Sequence, residues 1–101
     1  RLGTYRCKIS KDSIAYRSYK NQNVVERHRH RYELNNLYKN ILIENGMSIV
    51  GVNEELNLAE IIEIKDHPWF VGVQFHPEYQ SSFIHPHPLF ISFLKSTLLN
   101  K

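Results

Sequence analysis

Sulfur is scarce in this sequence, long apolar runs are missing, and opposite charges nearly balance. A single cysteine, Cys7, excludes an internal disulfide framework and fits a reducing compartment. No apolar stretch approaches the roughly 20 residues that a membrane-spanning helix needs, and no signal peptide is visible. The four glycines build no flexible linker, and no internal repeat appears. A formal net charge of +3 is too mild to argue for nucleic acid by itself. What is there is 101 residues, 42% hydrophobic and 23% charged. That composition is neither disordered nor membrane-spanning, and the length suits one small domain or part of a larger one. The first residue is Arg1 rather than Met, so a truncated start is expected.

The informative stretch is Trp69 to Glu78. An apolar run, Trp69 to Val73, reads as an interior strand buried on both faces, and it leads into Gln74, His76 and Glu78 at every second position. Side chains two apart on extended backbone point the same way. On an extended path the Glu78 carboxylate reaches the His76 ring, fixes its tautomer and leaves the other nitrogen free to take a proton. Pro77 fixes one dihedral and removes a backbone donor, so the strand should end there. These are the base and orienting acid of a nucleophilic triad, without the nucleophile. By spacing alone a structural histidine at a strand end is the commoner case. Cys7 does not fill the gap: it lies in a strand-like segment with no Gly-x-Cys-x-Gly elbow around it, and a structural role fits it better.

Elsewhere the pattern alternates strands and helices. Arg1 to Ile9 reads as a strand, and Asp12 or Ser13 can cap a short helical turn through Tyr16. Asn35 or Asn36 caps a helix to about Glu44, with Leu37, Ile41 and Leu42 as its buried stripe and Asn45-Gly46 as its end. Met47 to Val52 and Leu58 to Ile64 form a hairpin across Asn53-Glu54-Glu55. Glu60 and Glu63 either face water or pair with the basic segment. Asp66-His67-Pro68 makes a turn. Pro88 suits the first position of a terminal helix whose Leu89, Phe90, Phe93, Leu94 and Leu98 pack on the sheet. His85 and His87 read as part of a rigid surface turn rather than a metal site. The order predicts an α/β or mixed α+β layer structure.

Val24 to Glu33 contains Arg27-His28-Arg29-His30-Arg31. Extended, it puts the three arginines on one side and the two histidines on the other. A solvated basic edge strand is the plain reading. An anion site is the sharper one, because a guanidinium donates two parallel hydrogen bonds to a carboxylate or phosphate. A metal at His28 and His30 fits poorly, since no cysteine or acid stands at ligand spacing.

Gln74-Phe75-His76-Pro77-Glu78 resembles the signature of class I (triad) glutamine amidotransferases. Arg1-Leu2-Gly3, the block from Glu26 to Glu33 with Asn35-Asn36, Glu60 to Glu63, His67 to Val71 and His85 to Phe90 together resemble the C-terminal end of the CTP synthase family. The resemblance covers nearly the whole chain. It implies the C-terminal portion, residues 1–101, of an α/β amidotransferase domain with a flavodoxin-like mixed sheet flanked by helices. It implies His76 as general base, Glu78 as its orienting carboxylate and Arg31 as a contact to glutamine. Members of the family make CTP from UTP, ATP and glutamine with Mg²⁺, through an N-terminal synthetase domain, as cytoplasmic homotetramers. The nucleophile elbow and the synthetase domain are not in these residues, so a fragment inactive alone, without a cofactor or metal of its own, is expected. Competing readings are another triad amidotransferase or γ-glutamyl hydrolase relative, a basic binding module at Arg27 to Arg31, and a metal site at His28, His30, His85 and His87.

Overall fold

The computed structural model describes residues 1–99. Strand β1 (Leu2–Ile9) pairs antiparallel with β2 (Asn23–Arg29), with Cys7 opposite Val24 and Gly3 opposite His28. Strands β3 (Met47–Asn53) and β4 (Leu58–Ile64) form the expected hairpin. Strand β5 (Val71–Val73) pairs with β4, and the sheet order is β2-β1-β3-β4-β5. Every pairing among the described residues is antiparallel.

Helix α1 (Ile14–Tyr19) starts where Ser13 Oγ accepts from Tyr16 N–H at 3.0 Å. Glu63 of β4 adds to that cap, its two carboxylate oxygens accepting from Ile14 N–H and Ala15 N–H. An anion there also meets the positive end of the helix dipole. Asn35 caps a 3₁₀ turn, Asn36–Tyr38, which runs into α2 (Lys39–Glu44). Gly46, at φ +94°, makes the left-handed exit that a side chain would strain. Helix α3 (Pro88–Leu99) packs on α1. The core joins Cys7 and Ile9 of β1, Ala15 of α1, Val50, Ile61, Phe75 and Leu89.

Three expectations need correction. Trp69 to Val73 is not an interior strand buried on both faces: β5 is three residues long, half-buried, and lies at the sheet edge. Leu37 and Ile41 do not form a buried stripe; they are exposed, Leu37 at 83%, and neither the 3₁₀ turn nor α2 has a fully buried residue. In α3 only Leu89 is buried, while Phe90, Phe93, Leu94 and Leu98 remain exposed. The spacing identifies an apolar face correctly in each helix, but the described residues cover it only in part: Trp69 meets Phe93, while Leu37, Ile41, Leu94 and Leu98 stay exposed.

Strands β1 and β3 pair only at Lys8 with Val52 and Ile9 with Gly51, so they diverge along the rest of their length. Residues 74–76 bridge the two halves from the β5 side of β4. Gln74 N–H donates to Glu60 O of β4, and His76 N–H donates to Arg27 O of β2, both at 2.9 Å. In a flat sheet β2 and β4 would lie about 14 Å apart, at roughly 4.8 Å per strand. Two residues of chain span at most about 7 Å, and the two 2.9 Å hydrogen bonds extend the reach to about 13 Å only if all three lie in one line. The sheet is therefore curled, and the segment laces its two halves together.

Candidate active site

That lacing segment sets the position of His76. Phe75 points into the core and meets the His28 ring edge-on at 5.9 Å, which turns the flanking His76 outward. The extended path stops there. Pro77 opens a 3₁₀ turn, Pro77–Gln80, and Gln80 Nε2–H fastens it to Val25 O of β2 at 3.1 Å. Glu78 thus reaches back to His76 from a helical turn, not along a strand. The contact itself is as the spacing requires: His76 Nδ1 lies 2.6 Å from Glu78 Oε1. A carboxylate at Nδ1 takes that N–H and leaves a lone pair on Nε2, for which no hydrogen bond is found among the described residues. The side chains are 40% and 51% exposed, so Nε2 is open to a reactant. The Tyr79 ring stacks on the imidazole at 5.0 Å.

Arg31 lies two residues past the end of β2, exposed, and makes no hydrogen bond, ion pair or ring contact with His76 or Glu78. The loop carrying it is held from behind. The Arg1 guanidinium donates to both oxygens of Glu33, at 2.8 and 3.0 Å, and to Glu60 Oε1 at 2.6 Å. His28 Nδ1 meets His30 Nε2 at 2.9 Å, and His30 Nδ1 meets the Tyr32 carbonyl at 3.0 Å. Burial first, then the Arg1 charge, lowers His28 to about 4, so its ring is neutral at pH 7. The plain reading of a basic edge strand holds for β2, where Arg27 and Arg29 are exposed. Glu60 does pair with the basic segment, through a His28 contact at 2.9 Å. Neither Glu60 nor Glu63 faces water.

Cys7 is buried in β1, and burial followed by the Glu60 carboxylate pushes its thiol far above the ordinary range. It is a core residue, without the thiolate a nucleophile needs. The expectation for His87 also needs correction: it is buried, not part of a surface turn. Its Nδ1 accepts from Leu89 N–H at 3.1 Å, so the ring proton sits on Nε2 and faces Glu26 Oε2 at 2.5 Å. Tyr19 Oη–H donates to the same carboxylate oxygen. Spacing gave no sign of this Tyr19–Glu26–His87 cluster. The one available signal was that Glu26 shares the inward side of β2 with His28. Among the described residues, no group of three or more His, Cys, Asp or Glu converges to hold a metal.

A layered α/β unit presenting a histidine–carboxylate pair at the end of a sheet defines a class. Residues 2–96 match the glutamine amidotransferase class-I family, and the chain belongs to it. Curated relatives about half identical to it are CTP synthases. It is 58% identical over 96 residues to the CTP synthase of Christiangramia forsetii, covering 95% of this chain, and 54% identical over 101 residues to that of Clostridium kluyveri, covering 100%. The chain spans only 18% and 19% of those two proteins. It also superposes on the glutaminase domain of Trypanosoma brucei CTPS with bound acivicin, with a TM-score of 0.88 and 38% identity, over 94% of this chain and 38% of that one.

Proposed function

We propose that residues 1–101 are the C-terminal part of the glutaminase domain of a CTP synthase, which uses glutamine as its nitrogen source. His76 is the general base. It takes the proton of a cysteine thiol supplied by a preceding segment as that sulfur attacks the glutamine carboxamide carbon. It then returns a proton to the departing nitrogen, which leaves as ammonia. Water, deprotonated by the same Nε2, opens the thioester and frees glutamate. Glu78 holds the ring in the tautomer that leaves Nε2 basic. Arg31 anchors the glutamine carboxylate and so fixes the reacting carbon. UTP, ATP and Mg²⁺ belong to an N-terminal synthetase part of a cytoplasmic homotetramer, where ammonia replaces the uracil 4-oxygen.

The observation that carries this reading is the 2.6 Å contact of His76 Nδ1 with Glu78, with Nε2 left open. The test is ammonia release from glutamine. The full-length protein should release it, and His76→Ala should reduce it by about 10³-fold or more, as loss of a triad base does. These 101 residues alone should release none. Ammonia release by the isolated chain that His76→Ala abolishes would overturn the assignment of the nucleophile to another segment.

A further inference from the structure

The contact at Nδ1 fixes one corner of the His76 ring and leaves its plane open. Glu78 Oε1 lies 2.6 Å from Nδ1. A ring held at one atom can still tilt about the line of that hydrogen bond, and Nε2, on the far side of the ring, swings with it. The partner is itself loosely placed. The Glu78 side chain is 51% exposed, and among the described residues it makes no hydrogen bond other than the one to His76. A general base has to bring its nitrogen within hydrogen-bond reach of the proton it takes. A second contact, on the face of the ring, fixes the direction that the first leaves free.

We propose that Tyr79 is that second contact, a positioning residue whose ring holds the plane of the His76 imidazole. The proposal rests on the role given to His76 above. The two ring centroids are 5.0 Å apart and the planes differ by 22°, and no other aromatic ring meets His76 among the described residues. The placement follows from the local backbone. His76 caps the 3₁₀ turn Pro77–Gln80, and Tyr79 N–H donates to His76 O at 3.1 Å. Side chains three apart eclipse in a 3₁₀ turn, so Tyr79 falls over His76. On a strand continued past Pro77, the odd spacing would send Tyr79 to the opposite face. The turn that stands in place of the extended path thus delivers two clamps, an acid at the ring edge and a flat ring on its face. Base and clamps share one anchorage on β2, because His76 N–H donates to Arg27 O and Gln80 Nε2–H to Val25 O.

What the tyrosine does not do narrows its role. Its hydroxyl has no hydrogen-bond partner among the described residues, and it makes no hydrogen bond or ring contact with Arg31. The residue is 48% exposed, so the core does not depend on it. The test is steady-state glutaminase kinetics of the full-length protein. Tyr79→Leu keeps apolar bulk without a flat ring. It should lower kcat about tenfold and leave KM for glutamine within about twofold. Tyr79→Phe keeps the ring and should hold kcat within about twofold of the parent. Urea midpoints of both variants should match the parent, as for an exposed side chain. An unchanged kcat in Tyr79→Leu, equal losses in the two variants, or a loss confined to KM would each overturn the positioning role. The His76 ring protons, read in protein carrying ¹³C-labelled histidine, measure the stack without any assay. In the unmodified protein the Tyr79 ring current should hold them upfield of exposed histidines, and Tyr79→Leu should release them. Ordinary positions in the unmodified protein would overturn the stack. Failure of the functional reading looks different: the unmodified protein releases no ammonia, while the ring protons still decide whether Tyr79 holds the imidazole.

Discussion

Removing the imidazole of His87 would leave a carboxylate stranded in the core. Glu26 and His87 side chains are each 2% exposed. Glu26 Oε2 accepts from both His87 and Tyr19, and Oε1 has no hydrogen-bond partner. After His87→Ala the carboxylate keeps only the Tyr19 hydroxyl. Taking a hydrogen-bond donor from a buried carboxylate costs about 3 kcal/mol. Leu89 N–H, near the start of α3, also loses its acceptor, for about 1 kcal/mol more. The sum, about 4 kcal/mol, is a large fraction of the roughly 5–15 kcal/mol that keeps a domain folded. Replacing all three polar partners at once, as Tyr19→Phe, Glu26→Leu and His87→Leu, removes the charge with its satisfiers and should recover most of the loss. Urea unfolding followed through Trp69, the one tryptophan, reads this out directly. Its indole N–H donates to Ser92 of α3 at 2.7 Å, and its ring meets Phe93 at 5.1 Å. A His87→Ala protein within about 1 kcal/mol of the parent, or a triple variant as unstable as the single one, would refute the reasoning.

Further outcomes are equally direct. His28 titrates near 4 when folded against about 6.5 unfolded, so the unfolded chain binds the proton first. Its contribution is complete above about pH 6.5 and is lost toward pH 4, by up to about 3 kcal/mol. Urea midpoints at pH 7 and 4.5 should therefore diverge less in His28→Gln than in the parent. A Cβ on Gly51 would sit 2.6 Å from Ile61 Cγ1, and Ile61 is fully buried. Gly51→Ala should lose about 1–3 kcal/mol in thermal or urea unfolding, with partial recovery by Ile61→Val. Cys7, buried and with its thiol held protonated, should react with a thiol reagent at pH 8 only after denaturation; rapid labelling of the folded protein would count against that assignment.

The strands were legible because their residues alternate or carry turn signals at fixed offsets. Ser13, Asn35, Gly46 and Pro88 marked helix ends through chemistry that is local to the chain. The His76–Glu78 contact was legible too, although the path differs, because two residues are short enough for an extended and a 3₁₀ route to arrive at one distance. What covers a face is not a local property. Leu37 and Ile41 have helical apolar spacing yet stay exposed, and Phe93 is covered only in part, by Trp69. Burial of His87 depends on Tyr19 and Glu26, 68 and 61 residues away in sequence, and no short-range pattern encodes such a meeting. Glu60 and Glu63 were ambiguous for the same reason: three apart on one strand, they point to opposite faces and serve two different distant partners, a histidine and a helix end.

The crossing at residues 74–76 makes the open imidazole answer to both sides of the molecule. One amide hangs from β4 and the next but one from β2, with a buried phenyl ring as the pin between them. A shift of either half relative to the other would be felt at His76 before it reached any surface loop. The curvature of the sheet, rather than any side-chain contact, thus bears on where that imidazole stands.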